Sequence, residues 1–460
     1  MEHIKKALSI TKEIKFNHHW IATCQIYLGV YYWAIGEMEK SLKYNLKGLE
    51  LFKKIKSSLN IAILLNNLGG LYGDMGKYEL AVEHLEESIN LLEQLPQGFI
   101  SIEGVIVSLI TLAVEHGDNE RAQKYFHRLE DIYNQKKGDG IELDYKFTKA
   151  LILKTSSRIR DKIKAEELFK EIVETKTISF DLIIEAHIHL CDILLTEYRL
   201  DNDSEIFAEL NYYIAKLLTI AEKQHSYLVF CETFILQAKL ALLIFDIKSA
   251  RLFLTQAQKI AESYSMKRLA MKISFEHDEL LRQTKMWENL KISEVSLSER
   301  LELTGLNKQM ENMVKRGIIE VPEISKEDPV MLLILTEGGN LLFSKKFKED
   351  FSFEDDILGG FLTTVNYIIS EVFSEGLDRA VFGQYTLLMM AFEPFLICYI
   401  FKGHSYFAYH KIKNFLDSVK NDSVILQSLQ NFSQKSKSIQ INDIPSLESI
   451  VTEIFTKKNI

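Results

Sequence analysis

Turn-forming residues are scarce in this chain. Five prolines and 21 glycines serve 460 positions, well below the ~12% that the two types take in average proteins. Only Pro96 precedes Pro322, and from Ile141 to Thr304 there is neither Gly nor Pro. Strand-rich folds reverse direction too often to dispense with turn residues over such a stretch. Long helices joined by polar turns can do so, with Asn and Asp at the bends. Collagen-like, linker-rich and turn-dense all-β readings are excluded. A positive charge excess is also missing: 64 acids against 55 bases leave −9, the wrong sign for a nucleic-acid binder held by phosphate contacts. The four cysteines, Cys24, Cys191, Cys231 and Cys398, are far apart with no CxxC, so neither a zinc site nor a disulfide framework is indicated. The most apolar stretch of the later part, TLLMMAFEPFLICYIF, is interrupted by Glu393 and Pro394, and a membrane helix needs ~20 unbroken apolar positions. The first residues, MEHIKKALSITKEI, lack the apolar core of a secretory signal. A cytoplasmic location is expected.

What remains is a composition of 47% hydrophobic and 26% charged residues, that of a folded globular chain. It repeats. LGVYYWAIGEMEKSLKYNLKGLEL from Leu28 aligns with LGGLYGDMGKYELAVEHLEESINL from Leu68. Leu28, Gly29, Tyr32, Gly36, Ser41 and Gly48 fall on Leu68, Gly69, Tyr72, Gly76, Ala81 and Ser88 at a constant offset of forty. This pattern resembles the tetratricopeptide repeat, a pair of helices A and B whose small residues allow close backbone approach. Gly117, Ala122 and Phe126 continue the register, as do Ala165 with Phe169 and Ala250 with Ala257. Six helix pairs are expected over residues 1–290, closed by a helix at 267–290. Residues 2–14 align with a B helix lacking its A helix, so either a start upstream of Met1 or a lone capping helix is expected.

Prolines return after Glu320. VMLLILT and LLFSKKF flank Glu-Gly-Gly-Asn, a β-hairpin signal. Ile357, Phe361, Val365, Ile368 and Val372 then recur at helical spacing. LDRAVFGQ, YTLLMMAF and FLICYIFKG read as three strands, and SYFAYHKIKNFLDSVKND as a helix. The order ββαβββα over residues 328–435 resembles the longin domain and the related roadblock domain. The fold class expected is mainly α: a tetratricopeptide-type α-solenoid, then an α/β longin-like domain. Residues 291–327 read as a connector helix and linker, and 436–460 as a tail with a short helix. This combination resembles archaeal proteins of the same composition.

Motifs for chemistry were sought and weighed. GGLYGDMGKY, residues 69–78, departs from a Walker A loop, with Leu71 five residues before Gly76 and Tyr78 in the Ser/Thr place. His187 and His189 are two apart on a helix, roughly 200° around its axis, and cannot share a metal. There is no HExxH and no G-x-S-x-G. No catalytic, metal or cofactor-binding residue is assigned, and a non-enzymatic protein is expected. Gly359 and Gly360 stand inside an expected helix, where each costs ~1 kcal/mol against Ala. Close packing on the sheet, or close approach of a partner, would compensate.

The resemblance implies an adaptor. Tetratricopeptide arrays hold peptides or helices against their A helices, here at Ile26, Val30, Asn66, Gly70, Val107 and Thr111. The family's clamp for acidic C-terminal tails needs Lys, Asn and Arg at such positions. Only Asn66 fits, so an apolar or mixed ligand is expected. Longin and roadblock domains serve as platforms for small GTPases, which implies such a partner or another longin-like domain, a second copy of this chain included, at Gly359 and Gly360 or a sheet edge. The alternative is a ligand-sensing or regulatory protein with the array as sensor arm, acting in signalling or transcription control through a partner.

Overall fold

The computed structural model describes residues 18–34, 37–95, 102–136, 138–175, 180–293, 295–315, 327–336, 341–348, 379–434, 439 and 443–456. The expected helix at 2–14 and the glycines 359 and 360 lie outside them. Fifteen helices precede the first strand among the described residues, and the chain forms two compact units that interleave in sequence. Residues 1–269 and 293–320 make one; 270–292 and 321–460 make the other.

The first unit is the repeat array. Six A–B pairs follow in order: α1 (His18–Ala34) with α2 (Met38–Lys54), α3 (Ser58–Asp74) with α4 (Tyr78–Glu93), and α5 (Ile102–Glu115) with α6 (Asn119–Lys136). Then come α7 (Asp139–Lys154) with α8 (Ile159–Glu174), α9 (Phe180–Asp201) with α10 (Ser204–Lys223), and α11 (Tyr227–Leu243) with α12 (Ile247–Ser263). The long α13 (Lys267–Ile292) follows, then a short pair, α14 (Leu297–Thr304) and α15 (Leu306–Val314).

Small residues set the pair geometry as the repeat pattern requires. A Cβ on Gly69 would lie 2.5 Å from Leu85 Cγ and 3.2 Å from the Ala81 carbonyl. Gly69→Ala must therefore push α3 from α4, at about 1–3 kcal/mol for overpacking. Urea denaturation checks this, and a loss below about 0.5 kcal/mol would mean the helices separate freely. Neighbouring repeats are tied at the repeat spacing: Trp33 Nε1 donates to Asp74 at 2.6 Å, Tyr78 Oη to Asp118 at 2.8 Å, and Tyr125 Oη to Glu86 at 2.7 Å.

The turns of the glycine-free stretch differ from expectation. Gly76 and Gly117 take positive φ after their A helices. Later the left-handed position falls not only to Asn202 but to His225, Phe245 and Ser265, with φ between 51° and 59°. A side chain there costs ~1–2 kcal/mol, and packing across the pairs must outweigh it. Phe245 gains a guanidinium: Arg300 lies 5.4 Å from its ring centre and donates to the Leu243 carbonyl at 2.5 Å.

The second unit is built on one antiparallel sheet in the order β2-β1-β5-β4-β3. Its strands are β1 (Asp328–Thr336), β2 (Leu341–Lys346), β3 (Arg379–Phe382), β4 (Tyr385–Phe392) and β5 (Phe395–Lys402). Helices α16 (Ser405–Asn421), α17 (Ser423–Gln434) and α18 (Pro445–Val451) follow. The expected hairpin, three later strands and helix at 405 are all present; the expected helix around 352–374 lies outside the described residues. Leu332, Ile334, Ile397, Tyr399 and Phe401 pack on one side with Phe415, Leu447 and Phe455. Met331, Leu333, Leu335, Leu396, Cys398 and Ile400 are buried on the other. That explains why β1 and β5 read as continuous apolar runs, as strands covered on both faces do. The apolar β4 and β5 are interior strands, so their composition reflects the core and not a bare edge. Ile439 donates to the Leu342 carbonyl at 2.6 Å and shields β2.

Candidate partner-binding site

Most of the residues singled out from the sequence stand on α1, α3 and α5. Successive A helices place Val30, Gly70 and Thr111 at equivalent positions, with Ile26, Asn66 and Val107 one turn earlier. Val30 is 43% exposed, whereas Val107 is buried in the core and Ile26 is half-buried against Ala22 and Leu49. Gly70 is a seat for Trp33: a Cβ there would meet the indole Cη2 at 2.6 Å. The side-chain oxygens of Asn66 and Thr111 are shielded, with no hydrogen-bond partner among the described residues.

The most open large apolar residues of α1 are others. Trp20 and Tyr27 are 58% and 59% exposed, one heptad apart on α1. The i, i+7 spacing of two aromatics on a helix without Lys, Arg, Asp or Glu was the legible signal. The three A helices together carry Asp74, Glu103 and Glu115 and no Lys or Arg. Lys136, on the B helix α6, reaches Glu103 at 2.9 Å. Next along, burial and then the charge of Glu103 push the Asp144 carboxyl up to about 6.

The inner face of α9 and α11 is filled by the chain itself. α15 packs across both helices, burying Leu306, Gln309, Met310 and Met313. The Gln309 amide donates to the Glu232 carboxylate, both buried. α11 is therefore covered nearly all round, Glu232 and Thr233 included. The sequence-based connector is a helical hairpin clasped to the array, bent at Gly305 with φ 58°.

His187 and His189 are core residues of α9. Burial pushes His187 down to about 4, against a 2.8 Å bond from its Nδ1 to the Ile183 carbonyl. His189 is pushed down by burial and by Lys154, whose Nζ lies 3.1 Å from its Nδ1. A histidine lowered on folding contributes stability that is full above its unfolded pKa near 6.5 and is lost as pH falls toward 4. Asp144 acts oppositely, since a raised carboxyl loses its contribution as pH rises from about 4 to 6. The two oppose each other over the same window. Asp144→Asn is expected to unmask the histidine slope, worth about 3 kcal/mol for His187 between pH 6.5 and 4. Denaturant titrations across that range check it; a flat profile in the variant would be inconsistent with neutral buried histidines.

A second polar cluster lies inside the other unit. Asp278 of α13 accepts from Ser405 N at 2.7 Å, Ser405 Oγ at 2.6 Å and Arg379 Nη1 at 3.3 Å. Arg379 also donates to Ser405 Oγ at 2.7 Å, and His404 Nδ1 stands 3.5 Å from the carboxylate. Burial would raise Asp278, but His404, Arg379 and Ser405 together outweigh it and hold the carboxyl down at about 2. Ser, His and Asp meet here without a relay, because the serine hydroxyl bonds the carboxylate directly and Asp278, Arg379 and Ser405 are sealed. Nucleophilic catalysis needs the base between the two.

Among the described residues no cluster of three or more His, Cys, Asp or Glu could hold a metal, and no helix is long and apolar enough to cross a membrane. No curated protein matches the chain. A model of the tetratricopeptide repeat family does match, over residues 23–94, the two pairs in which the forty-residue offset is clearest.

Proposed function

We propose that this chain is a non-enzymatic adaptor that holds a protein partner on the inner face of its first three repeats. Similarity to tetratricopeptide repeats indicates protein interaction. The observation that carries the reading is α1 itself, which leaves Trp20, Tyr27 and Val30 exposed. Exposed aromatics grouped on one helix are typical of protein contact surfaces. An acidic C-terminal tail does not suit this face, which offers no cation on its A helices.

The second unit would present another surface. Its element order supports a longin-like platform, and a small GTPase is the partner class that this resemblance implies. Affinity capture from the source cell with the full chain tests the adaptor reading. Tyr27→Glu should lose a protein that the wild type retains, while Ile159→Glu, at a site 77% exposed on α8, should keep it. Identical capture by both variants would remove the inner face from the account. Binding assays against small GTPases in both nucleotide states test the platform.

A further inference from the structure

Acids outnumber bases in this chain, yet four of the seven residues from Arg158 to Lys164 are cationic, with Asp161 the one acid among them. Two isoleucines, Ile159 and Ile163, stand in the same run. It forms the cap and first turns of α8, whose other side buries Ala165, Phe169, Ile172 and Val173. Arg158, Ile159, Arg160, Lys162, Ile163 and Lys164 are all exposed, Ile159 at 77% and Ile163 at 48%. Residues four apart share a helix face, so the isoleucines form one row and Arg160 and Lys164 a second row beside it. None of the four cations is in an ion pair among the described residues. Farther along the same helix, Lys170 is held by Glu166 at 2.7 Å and Glu209 at 2.6 Å. Asp161 is engaged locally and accepts the Ser156 hydroxyl at 2.7 Å. Like charges at i and i+4 repel, as Arg158 does Lys162 and Arg160 does Lys164. Neither the cations nor the open isoleucines help the fold.

We propose that this end of α8 docks on an anionic lipid bilayer, with Ile159 and Ile163 at the headgroup boundary and the four cations among the lipid phosphates. The surface lies on a different helix from the one proposed to hold a protein partner. Charge gives the sign of the occupant, since an anionic surface turns the repulsion within α8 into attraction. Exposed aliphatic side chains beside Lys and Arg are the two components of binding at a membrane interface. The long stems of Arg and Lys keep the charges at phosphate level while the isoleucines go deeper. Shape gives the class. A side chain more than three-quarters exposed stands proud of the surface, and a bilayer yields to it where a protein must supply a matching pocket. Single-stranded nucleic acid binds by stacking on aromatic residues, and the run has none. The footprint is small. Glu167 is exposed one turn beyond Ile163, and Asp201 and Asp203 are exposed at the next A–B turn, so contact is confined to the start of α8.

The test uses the full chain and two sets of large unilamellar vesicles, one of phosphatidylglycerol and phosphatidylcholine in equal parts, the other of phosphatidylcholine alone. Co-sedimentation is expected to show partition onto the anionic vesicles about tenfold or more stronger, falling with added salt. Arg160→Glu with Lys164→Glu should abolish it. Ile159→Ser with Ile163→Ser should weaken it at least about fivefold, and Tyr27→Glu should leave it unchanged. All four replaced α8 side chains are exposed, so both double variants should melt as the wild type does. Partition that ignores the charge reversal overturns the site. Partition that survives loss of both isoleucines overturns their insertion. No partition, or equal partition onto phosphatidylcholine, overturns the anionic bilayer as the occupant. If a poly-glutamate peptide or a single-stranded oligonucleotide then binds, and the charge reversal removes it, the patch serves an acidic macromolecule instead. Affinity capture with Tyr27→Glu reports on the adaptor reading separately in every case.

Discussion

Asp278→Asn is expected to lower the stability of the second unit by about 3–5 kcal/mol, the usual result of removing one partner from a buried ion pair. The carboxylate sits at the first turn of α16, where it takes the backbone N–H and hydroxyl of Ser405 and faces the Arg379 guanidinium. The amide keeps the shape but loses the charge that faces the buried Arg379 guanidinium. A helix N-terminus also loses the anion that its dipole favours. Urea unfolding followed by a probe in the sheet measures the loss. Arg379→Met alone should be costly too, but the double replacement Asp278→Asn with Arg379→Met should cost less than the sum. Additive single effects would mean that the pair is not coupled. The acid side gives an independent check. A carboxyl held near 2 contributes stability that is complete above the unfolded pKa near 3.9 and is lost as pH falls from there toward 2. Asp278→Asn should flatten that part of the profile.

A fragment spanning residues 325–435 is expected not to fold by itself, although it contains every strand and both α16 and α17. From the sequence it looks autonomous, with its own hairpin, sheet and flanking helices. In the structure it lacks two covers. Arg379 and Ser405 bury their polar groups against Asp278 and Ser274 of α13. Leu447, Val451 and Phe455 fill the core under α16, where the Phe455 ring meets Tyr399 and Phe415. Removing an aromatic of that kind costs about 3–5 kcal/mol, as does each broken buried pair, against total domain stabilities of 5–15 kcal/mol. The counterpart is a fragment of residues 266–460, with Leu301, Leu306 and Met310 made polar so that the unclasped hairpin stays soluble. It should unfold cooperatively, with dispersed amide resonances. A cooperative transition in the shorter piece would show that α13 and the tail are dispensable.

The repeat was legible because packing writes it directly: Gly69 against Leu85 leaves no room for a Cβ, and the same constraint recurs at a fixed offset. The strands were legible because β1 and β5 are covered on both faces and so read as unbroken apolar runs. The interleaving was not. Nothing local in α13 says that its residues from 270 onward go with the sheet, since Asp278 looks like any acid on a helix until Arg379, a hundred residues later, stands beside it. The site was half legible. Helical register gave Val30, Asn66, Gly70 and Thr111, but not Trp33 lying on Gly70, nor Trp20 and Tyr27 as its most open members. The role of α15 was hidden for a similar reason, because its four-residue buried stripe is an ordinary helix pattern and its seat on α9 and α11 is a long-range fact.

The clasp of α15 onto α9 and α11 also bears on how the chain is made. Helix α11 ends at Leu243, yet the helix that covers its inner face begins at Leu306. At about 5–20 residues per second the nascent chain waits on the order of ten seconds for that cover. During that interval the apolar surfaces of α9 and α11 are open at the ribosome, while the first three repeats are already complete. A chaperone meeting the growing chain would find its preferred substrate there, and slowing translation between residues 243 and 306 would lengthen the exposure.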